Sequence, residues 1–136
     1  MKLIEFAFDY SSGLRISRDL LELDVASLPG VSPRDMKTGY VWYSIPIETS
    51  EHNEIQVDLC FHSGALDSIS LDAKDAGIGR SLSDWSEDKE RTRAKRTQDW
   101  LTALGYAPGR YSWGDIWAGY DPKSGSGSAV IRYNSE

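Results

Sequence analysis

The chain has 136 residues, of which 15 are basic and 21 acidic, for a net charge of −6. This size and a hydrophobic content of 40% predict one globular domain over residues 1–136 with a core of its own. The single cysteine, Cys60, excludes an internal disulfide, and no segment approaches the roughly 20 apolar residues of a membrane-spanning helix. Acidic residues stand too near the start for a secretory leader, so a cytoplasmic protein without membrane association is predicted.

The negative charge is concentrated in the middle of the chain. Residues 48–90 hold 11 acidic and 3 basic side chains. Such a surface repels phosphate backbones and attracts basic proteins. We therefore expect a protein partner and no nucleic acid.

The first half of the chain has the pattern of short strands. Residues 3–10 alternate between apolar and polar positions, which predicts a half-buried strand. Residues 14–28 fit a strand or a helix, and the alternation of Leu21, Leu23 and Val25 favours a strand. A loop is predicted over 29–39, and a further strand over 40–47 that ends or becomes an edge at Pro46.

The clearest strand pattern is at residues 55–62, followed by a turn and a second strand over 66–72. A three-residue loop, Ser63-Gly64-Ala65, places Leu59 opposite Ile69 and Val57 opposite Leu71, so that all four face one side. Gly64 is predicted to have a positive φ angle.

One long helix is predicted over about 84–104. Asp84 with Glu87 resembles a capping box at its start, and Gly105 with Tyr106 suits a Schellman motif at its end. The middle of the helix is expected to face solvent, and its anchoring residues are Trp85, Ala94, Trp100, Leu101 and Leu104.

The C-terminal segment predicts a β-hairpin with strands 115–120 and 128–133 around a Gly- and Ser-rich loop. Strands before and after one helix predict an α+β fold, a mainly antiparallel sheet with the helix packed on one face. Alternation places Tyr111, Trp113 and Trp117 on one side of the strand and Ile116 and Tyr120 on the other, so one of these two faces is a candidate exposed aromatic patch.

Three patterns invite a catalytic or ligand-binding interpretation. Asp58, Cys60 and His62 project from one side of a strand, with His52 nearby, but zinc sites recruit ligands from several segments and a Cys–His pair needs an orienting group. The glycine-containing stretches 77–81 and 124–128 lack the phosphate-loop order of residues, and the basic run 91–96 is explained by the helix dipole. No catalytic residue, metal or cofactor is therefore predicted.

The segments 111–116, 120–125 and 130–133 resemble small bacterial immunity proteins of polymorphic-toxin and contact-dependent growth inhibition systems. The resemblance implies an inhibitor that binds the C-terminal domain of a cognate toxin and occludes its active surface. Many such toxins are basic nucleases, which an acidic protein complements. No contact residue follows from the resemblance itself.

Charge and position suggest which residues bind such a partner. The candidates are one aromatic anchor and five carboxylates on or before the central hairpin: Trp42, Glu48, Glu51, Glu54, Asp58 and Asp67. Two alternatives stay open, a scaffold protein that oligomerises through a strand edge or the aromatic patch, and an enzyme that uses Cys60 and His62.

Overall fold

The computed structural model describes residues 6–10, 14–45, 55–73 and 86–134. Within these ranges the elements are, in chain order, β1 (Phe8–Tyr10), β2 (Leu14–Ile16), α1 (Glu22–Ala26), β3 (Pro33–Asp35), β4 (Tyr40–Ile45), β5 (Ile55–His62), β6 (Ala65–Ala73), α2 (Glu87–Ala103), β7 (Gly109–Tyr111), β8 (Gly114–Asp121) and β9 (Ser126–Tyr133).

Seven of the strands form one antiparallel sheet in the order β3-β4-β5-β6-β9-β8-β7, and β1 pairs separately with β2. The long helix α2 packs against β9, β8 and β6. The predicted α+β class, the long helix on one face of the sheet and the C-terminal hairpin are all confirmed.

The hydrophobic core lies between the sheet and the elements on its helix side. Residues that face each other across neighbouring strands, such as Leu59, Ile69 and Ile131, are completely buried there. Phe8 of β1 and Val25 of α1 belong to the same cluster. Both helices and the β1–β2 pair therefore cover the same face of the sheet.

One face of the middle of α2 is buried, so the prediction of a solvated middle was wrong for that face. Glu90 and Arg93 form an ion pair of 3.2 Å with almost no exposed surface. The Glu90 carboxylate also accepts from the N–H of Gly127 in β9, and Arg93 Nη1 donates to the carbonyl of Ala73 in β6. Thr97 Oγ1 accepts from the N–H of Ala73 at 3.0 Å. These polar side chains are buried because they hydrogen-bond to the sheet, which hydrophobic patterning does not reveal.

The C-terminal end of α2 agrees with the prediction, and the N-terminal end differs from it. Gly105 N–H donates to Thr102 and Tyr106 N–H to Leu101, which is the predicted Schellman motif. At the start, the N-cap is Ser86, whose hydroxyl accepts from the N–H of Lys89. The cap is thus two residues beyond the predicted Asp84.

Of the predicted helix anchors, Ala94 and Leu101 are buried and Trp100 is half-buried. Leu104 is wrong as an anchor, since the C-cap position leaves it 42% exposed. Asp84 and Trp85 lie outside the described residues.

The β5–β6 hairpin has the predicted register but a different turn. Leu59 pairs with Ile69 and Val57 with Leu71, as expected. The turn itself has two residues, Ser63 and Gly64, both with positive φ. A β-bulge opposite Cys60 and Phe61 then shifts the register by one residue. This one-residue shift has the same effect on the pairing as the third loop residue of the prediction.

The N-terminal half departs further from the prediction. Residues 14–28 form a short strand, β2, and a short helix, α1, instead of one strand, and the predicted loop 29–39 contains β3. Of the predicted strand 3–10, the described residues 6–10 form a strand over β1, and the predicted strand 40–47 is described as β4. Residues 1–5, 46–54 and 74–85 lie outside the described residues, including Pro46.

Candidate functional site

The face of the sheet opposite α2, here called the open face, has no described helix or strand packed on it. One row of neighbouring side chains crosses all seven strands: Arg34, Trp42, Cys60, Ser68, Arg132, Asp115 and Arg110. A second row crosses five strands: Ser44, Asp58, Ser70, Val130 and Trp117. The open face is therefore polar, with charges of both signs and two tryptophans.

The open face has the dimensions of a protein contact surface. Strands are about 4.8 Å apart, so seven strands span about 29 Å, and the four spacings between Trp42 on β4 and Trp117 on β8 amount to about 19 Å. A specific protein interface covers about 800 Å² on each partner. The open face is broad enough for one such interface.

The structure places two of the predicted partner-binding residues on the open face. Trp42 is half-buried between Arg34 and Cys60 of the neighbouring strands. Asp58 is half-buried on β5, and its Oδ1 accepts from Gln56 Nε2 at 3.2 Å. Asp67 occupies the bulge of β6. The three predicted glutamates, Glu48, Glu51 and Glu54, lie outside the described residues.

The arrangement around Cys60 does not favour a nucleophile. The thiol is buried, which raises its pKa; the hydrogen bond with Ser68 lowers the pKa, and the carboxylate of Asp67 raises it. A raised pKa keeps the sulfur protonated and weakly nucleophilic at neutral pH. The His62 ring is stacked on Tyr40, with ring centroids 4.4 Å apart. In the described part of the chain, no group of three or more His, Cys, Asp or Glu residues is arranged to hold a metal ion.

The predicted placement of Tyr111, Trp113 and Trp117 on one side of a strand was wrong. Trp113 precedes β8 and is buried in the core, where it packs against Phe6 and Tyr133. Trp117 lies on the open face and is 43% exposed. The prediction extended one strand alternation through residues 111–117, whereas the chain turns between Tyr111 and Gly114.

Trp117 borders a cavity of about 560 Å³ on the open face. Its lining is Asp115, Trp117, Asp121, Lys123, Ser124, Ser128, Val130 and Arg132. The sequence pattern indicated Trp117 but not the charged residues around it. The available signal was the alternation of Asp115, Trp117, Gly119 and Asp121, which puts all four on one side of β8.

A second cavity, of about 430 Å³, lies on the helix side and is lined by Leu21, Glu22, Leu23, Ala26, Tyr43 and Gly64. Leu23 is 79% exposed there. Tyr43 donates to the Glu22 carboxylate over 2.6 Å, and burial together with this carboxylate raises the pKa of Tyr43 to about 12.

The basic run 91–96 is largely engaged within the protein. Arg91 pairs with Glu87 at 2.8 Å and stands over the ring of Tyr120, and Lys95 pairs with Asp99 at 3.0 Å. Arg93 is held in the buried cluster with Glu90. These contacts explain the run without a polyanionic partner. The predicted glycine stretch 77–81 lies outside the described residues, and 124–128 forms part of the β8–β9 hairpin.

Comparison with models of protein families, with curated proteins and with solved structures finds no match. Within the described ranges, neither helix has the length and hydrophobicity needed to cross a bilayer.

Proposed function

We propose that this protein is an immunity protein that binds a cognate bacterial toxin domain through the open face and blocks the toxin's active surface. The observation that carries the proposal is the broad face of the sheet with Trp42 and Trp117, on which no described element packs. Tryptophan is enriched among the residues that dominate protein–protein binding energies. In this proposal the protein acts by binding and catalyses no reaction.

The charge of the chain supports a basic partner, such as a nuclease domain. The protein has a net charge of −6. Asp58 on β5 and Asp72 on β6 bring carboxylates to the middle of the sheet. Complementary charge accelerates association and selects against acidic surfaces. In this proposal the protein works in the cytoplasm of the cell that produces the toxin.

The edges of the sheet support contact through its face. The outermost strands, β3 and β7, have three residues each, and each carries an exposed arginine, Arg34 or Arg110. Short, charged edge strands resist pairing with a strand of another molecule. A scaffold that grows by edge-to-edge pairing is therefore less favoured than a protein that binds with its open face.

The direct test is co-expression with the C-terminal domain of each large protein encoded beside this gene. We expect the wild-type protein to restore growth and to form a complex whose affinity falls as salt is added. Trp42→Ala and Asp58→Asn are expected to weaken the complex about tenfold or more, since central interface residues contribute most of the energy. Leu23→Ser, on the helix side, is the control and should bind as the wild type does.

Two results would contradict the proposal. The first is a folded protein that neither binds nor neutralises any product of the adjoining genes. The second is an affinity for the toxin domain that Leu23→Ser lowers while Trp42→Ala and Asp58→Asn leave it unchanged.

A further inference from the structure

Strand β8 presents an unusual set of residues to the open face. Asp115, Trp117, Gly119 and Asp121 alternate along it, and the first, second and fourth line the 560 Å³ cavity. Residues two apart on a strand are separated by about 7 Å. Along the strand, Trp117 therefore has a carboxylate on each side, Asp115 before it and Asp121 beyond Gly119.

The indole of Trp117 lies over Gly119. A Cβ placed at Gly119 would be 3.4 Å from Cζ2 of the indole and 3.9 Å from Cε2, which is ordinary van der Waals contact. The ring therefore leans along its own strand toward Asp121. With 43% of the residue exposed, the indole offers a surface to a ligand in the cavity.

An aromatic surface beside carboxylates is the chemistry that recognises a guanidinium group. The planar cation stacks on the face of a tryptophan and donates hydrogen bonds in pairs to a carboxylate. An ammonium group lacks the planar stacking, so the site discriminates arginine from lysine. Arg132 and Lys123 also line the cavity, so its two carboxylates and two cations carry no net charge, and Asp121 Oδ1 already accepts from the N–H of Lys123 at 2.9 Å. A guanidinium is therefore selected here by stacking on the indole and by hydrogen bonds to the remaining carboxylate oxygens, and not by net charge.

We propose that the Trp117 cavity receives one arginine side chain of the partner protein, stacked on the indole and hydrogen-bonded to Asp115 or Asp121. This inference rests on the proposed function, because the toxin domain supplies the arginine. It identifies the contact that anchors a basic partner to the β8 side of the open face, well away from the acidic hairpin expected from sequence.

The probe is Nα-acetyl-arginine N-methylamide, titrated into the ¹⁵N-labelled full chain and followed by NMR. We expect saturable shifts of the Trp117 indole N–H and of the backbone amides of β8, and much smaller shifts with the matched lysine compound. Trp117→Leu and the pair Asp115→Asn/Asp121→Asn should each weaken binding about two- to fivefold or abolish the shifts. Asp99→Asn, which removes an exposed carboxylate of α2 outside the open face, is the control and should leave them unchanged.

Several outcomes would overturn the inference. They are the absence of saturable shifts, equal shifts with the lysine compound, and shifts that survive Trp117→Leu. A further titration uses methyl β-glucoside, because sugars also stack on tryptophan. Shifts of β8 with this compound alone would indicate a sugar site. The two proposals fail separately. Toxin neutralisation that persists without arginine binding refutes the inference alone, and arginine binding without any toxin complex refutes the proposed function alone.

Discussion

Gly127 and Glu90 fix how closely the helix approaches the sheet. The N–H of Gly127 in β9 donates to the Glu90 carboxylate over 3.0 Å. A Cβ at position 127 would overlap the carbonyl oxygen of Glu90 and come within 2.8 Å of the nitrogen of Ala94. The backbone of α2 therefore rests on the backbone of β9, and only glycine leaves room for this contact.

Gly127→Ala is expected to destabilise the protein by about 3 kcal/mol, because the added methyl meets backbone atoms that no side-chain movement can clear. The measurement is urea denaturation followed by circular dichroism. Gly119→Ala in the partner strand is the control, since its Cβ would meet only the Trp117 ring at ordinary contact distance. Equal stability of the two variants would contradict the close approach.

Arg93→Met should cost about 3–5 kcal/mol, because it leaves the buried Glu90 carboxylate without its cation. The double variant Glu90→Gln/Arg93→Met should be more stable than Arg93→Met alone, since the amide still accepts from Gly127 and no buried charge remains. A double-mutant cycle by urea denaturation measures the coupling. Additive effects would argue against an energetic link between the pair.

Thr97→Val should cost about 1–3 kcal/mol, because the buried N–H of Ala73 loses the acceptor that the threonine hydroxyl supplies. The exposed Thr102, whose hydroxyl donates to the carbonyl of Gln98 within the helix, provides the matched control Thr102→Val. Hydrogen exchange of the Ala73 amide reports the effect directly. Unchanged protection at Ala73 in Thr97→Val would contradict this contact.

Stability should fall between pH 10 and pH 12 partly because of Tyr43. An unfolded tyrosine ionises near pH 10, whereas burial and the Glu22 carboxylate raise the pKa of Tyr43 to about 12 in the folded protein. The unfolded state therefore loses this proton first, so the contribution is intact below pH 10 and is lost as the pH rises through 12.

Denaturation of wild type and Tyr43→Phe at a series of pH values tests this difference. The gap in unfolding free energy between them should shrink as the pH rises from 10 to 12, and Glu22→Gln should weaken the dependence. A gap that stays constant over this range would show that Tyr43 ionises alike in both states.

Cys60 should react with iodoacetamide at least about tenfold more slowly in the folded protein than in denaturant, because the thiol is buried and its pKa is raised. The reaction is followed by mass spectrometry at mildly alkaline pH. Cys60→Ala should keep the neutralising activity. Loss of activity in a folded Cys60→Ala protein would favour the enzyme hypothesis.

Local chemistry in the sequence was sufficient to predict several elements. The alternation of residues 55–72 predicted the pairing of Leu59 with Ile69, because only one register puts all the apolar residues on one face. Gly105 and Tyr106 predicted the end of α2 for a similarly local reason. These features depend on residues close together in the chain.

Features that depend on distant residues were not predicted. The polar middle of α2 was expected to face solvent, since the partners of Glu90 and Thr97 are backbone groups on two separate strands. The same holds for the candidate site. Trp42 and Asp58 were selected from the local pattern. The cavity at Trp117 also needs Arg132 from the neighbouring strand, and a turn that contains Trp113 places Trp113 and Trp117 on different sides of the sheet.

The short, arginine-bearing margins formed by β3 and β7 discourage backbone pairing with another molecule. In the proposed complex, recognition therefore depends on side chains that project from strands whose other side holds the core. Such side chains can be replaced without disturbing the interior, so specificity can be re-engineered at Trp42, Asp58 and Trp117 while the architecture beneath them stays the same.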